Sequence, residues 1–251
     1  MRDLTTIIAG ALGGALIALV IVFAAAQNGM LPGTANGGSG EAIRAYLLAH
    51  PEIAGEMNDK LAERQAANQQ QASADAIKRI GLNAFFDPRI AFVTGPANAK
   101  KSVVELSDYN CPYCRASAPA MEKFYALHKN DTRFSFIEFP IKGPDSIVAS
   151  KVALAARNQP DKYVALHFAM MSETKPVDAD VIMQAAVKAG LDLNKLKADM
   201  EKPEITAAID QSHALARSAG IDGTPTFIVN GIMHPGAVDD ATLAELAAKE
   251  S

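Results

Sequence analysis

The chain has 251 residues, of which 49% are hydrophobic and 21% charged, enough apolar material for a sizeable buried core. This composition excludes a wholly disordered protein, and 24 basic against 28 acidic residues, a net charge of −4, leave no basic surplus for binding nucleic acid. The two cysteines, Cys111 and Cys114, are too few and too close in sequence to form a disulfide-rich scaffold. They therefore indicate chemistry rather than structural bracing.

The amino terminus predicts a segment that meets a membrane. No charged residue lies between Leu4 and Gly40, and Ile7 to Ala26 provides about 20 apolar or small residues, roughly the span of a ~30 Å hydrocarbon layer. Two interpretations remain open: an uncleaved anchor over residues 1–26, or a signal segment cleaved after Ala26, where a run of small residues ends. Because Arg2 and the terminal amine are the only positive charges nearby, both interpretations place the remainder across the membrane.

A linker and a helical arm are expected next. Residues 27–40 are rich in Gly, Asn and Ser and predict a flexible linker. Residues 41–88 form a predicted helical arm that is interrupted at Pro51, because apolar residues recur at helical spacing on both sides of it. The arm has two possible roles: an oligomerisation region through residues 43–80, or a solvated spacer. The sequence does not choose between them, because the run of apolar residues is too short to predict a coiled coil.

The remaining residues, 89–251, predict an α/β domain. Short strands are expected at Ile90–Val93, Ser102–Leu106 and Arg133–Phe139, and a helix should open at the cysteine pair and run to about His128. A strand, a helix and a second strand in this order imply a parallel pair joined by a helical crossover.

Helices and a hairpin complete the predicted domain. Four or five short helices are expected between Pro144 and Gly220. Thr226–Val229 and Ile232–His234 read as strands, joined by an Asn-Gly pair that suits a two-residue type I′ turn. Asp239 or Asp240 should then cap a last helix.

The sequence Cys111-Pro112-Tyr113-Cys114 at a predicted helix start is suited to thiol–disulfide exchange. The reactive species is a thiolate, and a free thiol with a pKa of about 8.5 is only slightly ionised at neutral pH. If Cys111 precedes the helix and Pro112 is its first residue, the Cys111 sulfur faces unpaired amides and the positive end of the helix dipole. We therefore expect Cys111 to be ionised and open to polypeptides, and Cys114 to resolve the mixed disulfide.

Two other interpretations of the pair are weaker. A zinc site needs two further ligands, but the chain has no other cysteine and its five histidines show no paired spacing. An inert buried pair is also conceivable, although a strand, a short loop and CPYC at a helix start form a specific arrangement.

The segments VVELSDYNCPYC and GTPTFIVNG resemble the DsbA-like branch of the thioredoxin superfamily from about Val103 to the end of the chain. The helical arm, the segment Glu138–Ser146 and the Thr-Pro pair at 224–225 are most similar to the ScsC-type bacterial proteins. The resemblance implies a thioredoxin fold with a helical insertion at about residues 144–220.

The resemblance also implies roles for further residues. Pro225 matches the family's cis-proline, and Thr224 before it would offer backbone hydrogen bonds to an extended substrate; the alternative is an ordinary trans proline. Glu105 matches a buried acid that handles protons for the resolving cysteine; the alternative is a carboxylate at the rim of a strand. Pro112 and Tyr113 would tune the redox balance, and CPYC lacks the histidine of the CPHC oxidases, which puts a strongly oxidising potential in doubt.

These features together predict a periplasmic thiol–disulfide oxidoreductase that needs no metal or organic cofactor. Its partners would be exported proteins with cysteines and a membrane redox partner, and it would be anchored at the inner membrane or, if cleaved, soluble in the periplasm. An oxidase is slightly favoured; a disulfide isomerase or reductase acting as an oligomer is the first alternative. A tethered chaperone or copper-binding module, with Cu(I) held by the two thiolates, is the second.

Overall fold

The computed structural model describes residues 38–249, which form two compact units, one ending at Ala66 and one beginning at Ala67. The predicted membrane segment, residues 1–26, and most of the predicted linker lie outside the described residues. Within residues 38–249, no helix has the length and apolar character needed to cross a membrane.

The predicted arm is helical and is interrupted at Pro51. Helix α1 comprises Gly38–Ala49 and helix α2 comprises Glu52–Ile80. Helix α1 thus begins within the last residues of the predicted linker. Proline lacks the backbone amide that helical turns beyond the first use as a donor, so it favours the start of a helix, and α2 accordingly begins directly after Pro51.

The unit from Ala67 onward contains a five-stranded sheet and the remaining helices. Its elements are a 3₁₀ turn at Leu82–Phe86, β1 Ala91–Thr94, β2 Lys101–Ser107, α3 Pro112–His128, β3 Thr132–Glu138, α4 Pro144–Ala156, α5 Pro160–Met171, α6 Ala179–Lys188, α7 Leu193–Met200, α8 Pro203–Ala219, β4 Thr226–Val229, β5 Ile232–Pro235 and α9 Asp240–Ala248.

The strands lie in the order β1-β3-β2-β4-β5. Strands β2 and β3 pair in parallel, with Glu105 opposite Phe136, and helix α3 crosses between them as predicted. The other three pairings are antiparallel, and β2 also pairs with β4, where Glu105 lies opposite Phe227. The α/β architecture, the five helices between residues 144 and 220 and the terminal hairpin agree with the sequence-based prediction.

Alternating residues of the central strands face two separate apolar cores. On one face Val103 and Phe134 pack with helices α3, α4, α5 and α9. On the opposite face Val104, Leu106 and Ile137 pack with α8 and with the end of α2. Because side chains alternate along a strand, Glu105 points to the same face as Val103, toward α3 and α5.

The end of α2 and the 3₁₀ turn belong to the unit that contains the sheet. Ile77, Phe85 and Phe86 are buried in its second core, and the Ser135 hydroxyl donates to the Phe85 carbonyl oxygen at 2.5 Å. The sequence placed the boundary of the arm at residue 88, whereas the structure divides the chain between Ala66 and Ala67. The burial of these two phenylalanines places the 3₁₀ turn with the sheet rather than with the arm.

The β4–β5 hairpin has the predicted turn chemistry. Asn230 has a φ of 50° and Gly231 a φ of 82°, the pair of positive values that a type I′ turn requires. Helix α9 then begins after Asp239, whose carboxylate accepts a hydrogen bond from the Thr242 amide at 2.8 Å.

Candidate active site

The cysteine pair lies at the start of α3, directly after β2 and a short loop. Cys111 has an extended backbone (φ −81°, ψ 119°) as the residue before the helix, and Pro112 is the first helical residue. The Cys111 carbonyl accepts the first helical hydrogen bond, from the Arg115 amide at 3.1 Å. The geometry therefore places the Cys111 side chain at the amino end of the helix, as the sequence predicted.

Cys111 and Cys114 are both free thiols, and their surroundings push their pKa values in opposite directions. The Cys114 thiol donates toward the Cys111 sulfur and, together with the amides of Cys114 and Tyr113, lowers the pKa of Cys111 to about 5 against the opposing effect of burial. Burial and the neighbouring Cys111 sulfur raise the pKa of Cys114. At neutral pH the site therefore holds one thiolate and one thiol.

The Cys111 sulfur is less accessible than the sequence suggested. Its residue is 1% exposed, and in the thiol form Sγ donates a hydrogen bond to the carbonyl oxygen of Thr224 at 3.1 Å. This contact favours the protonated thiol and covers the sulfur with the loop that carries Thr224. Attack on Cys111, or by it, therefore requires this loop to shift.

The Thr224–Pro225 peptide bond is cis, as predicted. The Thr224 hydroxyl oxygen is buried and has no hydrogen-bond partner among residues 38–249, so it can donate to the thiolate once that forms. A cavity of about 300 Å³ borders this loop, lined by Gln69, Met233, Pro235 and the loop residues from Gly220 to Thr226. The cavity therefore lies against the loop whose Thr224 carbonyl contacts Cys111, and neither cysteine lines it.

Pro112 and Tyr113 occupy the two positions between the cysteines. The Tyr113 side chain is 66% exposed, so only its backbone amide contributes to the environment of Cys111. The low pKa of Cys111 arises here without the histidine of the CPHC sequence.

Glu105 is buried, which excludes a position at the rim of the strand. It is 2% exposed in the middle of β2, and burial raises the pKa of its carboxyl group to about 8. Its Oε2 atom has no hydrogen-bond partner among the described residues and lies 3.9 Å from Nε2 of His167. At that distance the two atoms face each other without a hydrogen bond.

A second buried carboxyl group, Glu138, lies at the end of β3. It accepts hydrogen bonds from the hydroxyl groups of Tyr109 at 3.0 Å, Tyr163 at 3.1 Å and Ser150 at 3.3 Å. Burial, with a smaller effect of the nearby Glu105, raises the pKa of Glu138 to about 8, although the three hydroxyl groups act to lower it. Sequence reasoning missed Glu138, although it is the last residue of the strand segment RFSFIE and gives the same signal as Glu105 in SVVEL.

His167 connects these two carboxyl groups. Its Nδ1 atom lies 3.0 Å from the Tyr109 hydroxyl, and its Nε2 atom faces Glu105. Burial lowers the pKa of His167 to about 3, so the imidazole is neutral and carries its proton on one of the two nitrogens. His167 was counted among the scattered histidines, and no sequence spacing links it to Glu105.

Asp108 holds the loop between β2 and α3 against the segment that follows β3. Its carboxylate is fully buried and accepts four hydrogen bonds, from the amides of Asn110, Ile141 and Lys142 and from the Ser146 hydroxyl, at 2.7–2.8 Å. Its own amide donates to Cys114 Sγ at 3.5 Å. Asp108 therefore positions Cys114, and it explains why the segment Glu138–Ser146 lies beside the cysteines.

The arrangement supports exchange of a disulfide with another protein. Cys111 provides a stable thiolate, Cys114 a neighbouring thiol that needs a base to ionise, and Glu105 a nearby carboxyl group of raised pKa. Among residues 38–249, no cluster of three His, Cys, Asp or Glu side chains could hold a metal ion.

Comparisons with known proteins agree with this chemistry. A sequence model of the DSBA-like thioredoxin domain family matches residues 102–248, more than half of the chain. The crystal structure of a thioredoxin-like oxidoreductase from Silicibacter pomeroyi DSS-3 is 39% identical, with a TM-score of 0.60, over 65% of this chain and 94% of that one. Proteus mirabilis ScsC in a transitional conformation is 28% identical, with a TM-score of 0.62, over 85% of this chain and 97% of that one.

A curated relative is a longer protein. The Na(+)/H(+) antiporter NhaA of Herminiimonas arsenicoxydans is 27% identical over 157 residues, which are 62% of this chain and 25% of the antiporter. The chain spans about a quarter of the length of the curated relatives that it matches. With the family model over residues 102–248 and the cysteine pair at the start of α3, the chain belongs to the DSBA-like thioredoxin domain family of thiol–disulfide oxidoreductases.

Proposed function

We propose that the protein oxidises cysteine pairs of exported proteins at the periplasmic face of the bacterial inner membrane. The observation that carries the proposal is the place of Cys111 at the amino end of α3 beside the Cys114 thiol, where its pKa is lowered to about 5. A thiolate stabilised in this way favours the reduced enzyme, which makes the enzyme disulfide a better oxidant of its substrates. The uncharged, apolar amino-terminal segment of the sequence supports membrane anchoring and a periplasmic location.

The proposed reaction has two exchange steps. A substrate thiolate attacks Sγ of Cys111 in the enzyme disulfide, a mixed disulfide forms, and the Cys114 sulfur leaves and takes up one proton. A second substrate thiolate then attacks the substrate sulfur of the mixed disulfide and expels the Cys111 thiolate. Two electrons pass from the substrate to the enzyme, so a membrane redox partner must reoxidise the cysteine pair.

The test is to capture the mixed disulfide in cells. In full-length protein with Cys114→Ser, the Cys111 thiolate can attack the disulfide of an oxidised exported protein, the reverse of the last step above, and expel one substrate thiolate. The variant lacks the Cys114 thiol that would attack Cys111 and release the bound protein, so Cys111 should accumulate covalent complexes with exported proteins. Non-reducing electrophoresis and mass spectrometry identify the captured proteins. The matched control is Cys111→Ser, which keeps the buried Cys114 thiol and should capture none. An empty trap in the first variant, or binding of Cu(I) without exchange, would contradict the proposal.

An oligomeric isomerase is the second candidate, and exposed apolar side chains in the unit that ends at Ala66 favour it. Five large apolar side chains there are more than half exposed: Ile43, Tyr46, Leu48, Met57 and Leu61. Burial of these side chains between copies of the arm would be favourable at about 25 cal/mol per Å². Several reduced sites around one substrate would suit disulfide reshuffling.

The mass of the full-length protein in detergent distinguishes the two candidates. If copies assemble through the arm, the double variant Met57→Ser/Leu61→Ser should lower the mass measured by light scattering and the yield of refolded scrambled ribonuclease. Oxidation of a reduced substrate should be unaffected. The control Glu56→Ser/Asp59→Ser changes exposed polar side chains of the same helix and should retain the assembly. A monomeric wild-type protein would eliminate the isomerase candidate.

A further inference from the structure

The buried side chains between the two carboxyl groups form a nearly continuous hydrogen-bonded path. Glu138 Oε1 is 3.0 Å from the Tyr109 hydroxyl, and that hydroxyl is 3.0 Å from Nδ1 of His167. Nε2 of His167 then faces Oε2 of Glu105 across 3.9 Å, and both atoms are buried without another partner among residues 38–249. Unpartnered buried polar atoms are costly, so two that face each other call for an explanation.

We propose that Glu138 is the proton reserve of the resolving cysteine, and that it replaces the proton of Glu105 through Tyr109 and His167. This inference rests on the exchange function proposed above. Glu138, Tyr109 and His167 are positioning residues in it, because they act through Glu105 and do not touch the sulfurs.

Once Glu105 and His167 come within hydrogen-bonding distance, the path accommodates one proton shift with every atom along it paired. Before the shift, Glu138 donates to Tyr109, Tyr109 donates to Nδ1 of His167, and Nε2–H of His167 points to Glu105. After the shift, protonated Glu105 donates to Nε2, Nδ1–H donates to Tyr109, and Tyr109 donates to the Glu138 carboxylate. His167 is a neutral imidazole in both states, consistent with its burial.

A proton reserve is needed because the Cys114 sulfur is buried when it leaves the disulfide. When a substrate thiolate breaks the enzyme disulfide, Cys114 leaves as a buried thiolate and takes the proton of Glu105. This transfer alone would leave a carboxylate beside Phe136 and Phe227, the residues paired with Glu105 on the neighbouring strands. A charge in such surroundings is costly unless it moves or finds partners.

Glu138 offers this charge more hydrogen-bond donors than Glu105 does. Three hydroxyl groups donate to its two oxygens, and the guanidinium group of Arg157 interacts with it favourably. For Glu105, the Ser107 side chain is the only hydrogen-bonding group among the described residues that lowers the pKa of the carboxyl group. Glu138 later regains a proton from those released by the substrate thiols, so the cycle is balanced.

The transfer requires Glu105 and His167 to approach by about 1 Å, since a hydrogen bond joins atoms about 2.8 Å apart. Seven titratable groups surround or form the path, and they belong to several elements of the fold. They are Glu105 of β2, Tyr109 of the following loop, Cys114 of α3, Glu138 of β3, Arg157 after α4, and Tyr163 and His167 of α5.

The chain offers a matched pair of variants for the test. Tyr109→Phe removes the hydroxyl that links Glu138 to His167, whereas Tyr163→Phe removes an equally buried hydroxyl that donates to the same Glu138 oxygen but lies off the path. Oxidised full-length protein is mixed rapidly with dithiothreitol between pH 6 and pH 8. Opening of the enzyme disulfide is followed by acid quench, alkylation and mass spectrometry, and the rate is divided by the thiolate concentration of the reagent.

We expect Tyr109→Phe to slow the opening of the disulfide by roughly tenfold or more, within the range of lost acid–base assistance. Tyr163→Phe should slow it by no more than about threefold, because it takes one hydroxyl donor from Glu138 but leaves the path intact. Glu138→Gln should slow the reaction like Tyr109→Phe, and the double variant no further, since both changes interrupt one path. Thermal unfolding of all the variants separates this effect from a general loss of stability.

Equal rates in Tyr109→Phe and Tyr163→Phe would overturn the proposal, and so would additive effects of Tyr109→Phe and Glu138→Gln. In either case a wild-type protein that reacts with dithiothreitol would leave the exchange function standing. A wild-type disulfide that does not react with the thiol at all would refute the exchange function and the proton reserve together.

Discussion

The Cys111→Ser variant is expected to lose about 2 kcal/mol or more of its free energy of unfolding as the pH rises from 6.5 to 8. Burial raises the pKa of Glu105 and Glu138 to about 8, whereas both groups ionise near pH 4.3 in the unfolded chain. Between those values the folded state binds more protons than the unfolded state. Stability therefore falls as the pH rises, the opposite of the usual behaviour of a carboxyl group.

The pH window is chosen so that other groups do not obscure the effect. His167, whose pKa is lowered to about 3, contributes a rise in stability that is complete above about pH 6.5. Cys111, with its pKa near 5, contributes an opposing rise across the window, so the measurement is made on Cys111→Ser. Cys114 stays protonated in the folded state. It changes the free energy of unfolding only where its thiol ionises in the unfolded chain, at about pH 8.5 and above.

Urea unfolding at a series of pH values measures the slope. Glu138→Gln or Glu105→Gln in the same background should flatten it, because glutamine does not titrate. Glu245→Gln is the matched control, since this exposed glutamate is ionised in both states throughout the window. A stability that is constant or rises between pH 6.5 and pH 8 would mean that neither buried carboxyl group holds a proton.

Titration of the reduced protein should show Cys111 half ionised near pH 5, followed by thiolate absorbance in the ultraviolet. Cys111→Ser should remove this step and leave no thiolate signal below about pH 8, because burial raises the pKa of Cys114. The same substitution should lower the rate of disulfide exchange by at least about 1,000-fold, since serine cannot form the mixed disulfide.

Matched variants connect the titration to the site. Tyr113→Phe retains the backbone amide that faces Cys111 and should leave the midpoint unchanged, because the phenol side chain points to solvent. Cys114→Ala removes the thiol that donates to Cys111 and should raise the midpoint. A Cys111 that ionises near pH 8.5, like an unstructured thiol, would remove the basis for the proposed oxidase.

Local patterns were enough to predict most elements of the α/β domain. Thr226–Val229 is the predicted strand, and α3 ends at His128 as expected, because apolar spacing and turn residues act within a few positions. The boundary of the arm could not be predicted in this way. Phe85 and Phe86 follow a polar helix in the sequence, and only the sheet shows where they are buried.

The residues of the candidate site also fall into two groups: those recognisable from a local sequence pattern and those recognisable only from contacts in the folded protein. The cysteine pair is a local motif, and Glu105 stood out as the only charge in a buried strand. His167 is 58 residues from Tyr109, and its contact with that side chain depends on how α5 packs against the sheet. The sequence alone does not show how α5 packs against the sheet, so it gives no sign that His167 is buried and neutral. The connection between Glu105 and Glu138 is therefore visible only in the structure.

The cover over Cys111 also governs which oxidants can reach it. A thiolate of such low pKa would ordinarily react with peroxide and proceed through sulfenic to sulfinic acid, which is irreversible in most proteins. In the structure Cys111 is 1% exposed beneath the Thr224 loop, so small oxidants meet a closed surface. We therefore expect hydrogen peroxide to oxidise the reduced Cys111 more slowly than its low pKa alone would predict, which would limit overoxidation of the thiolate.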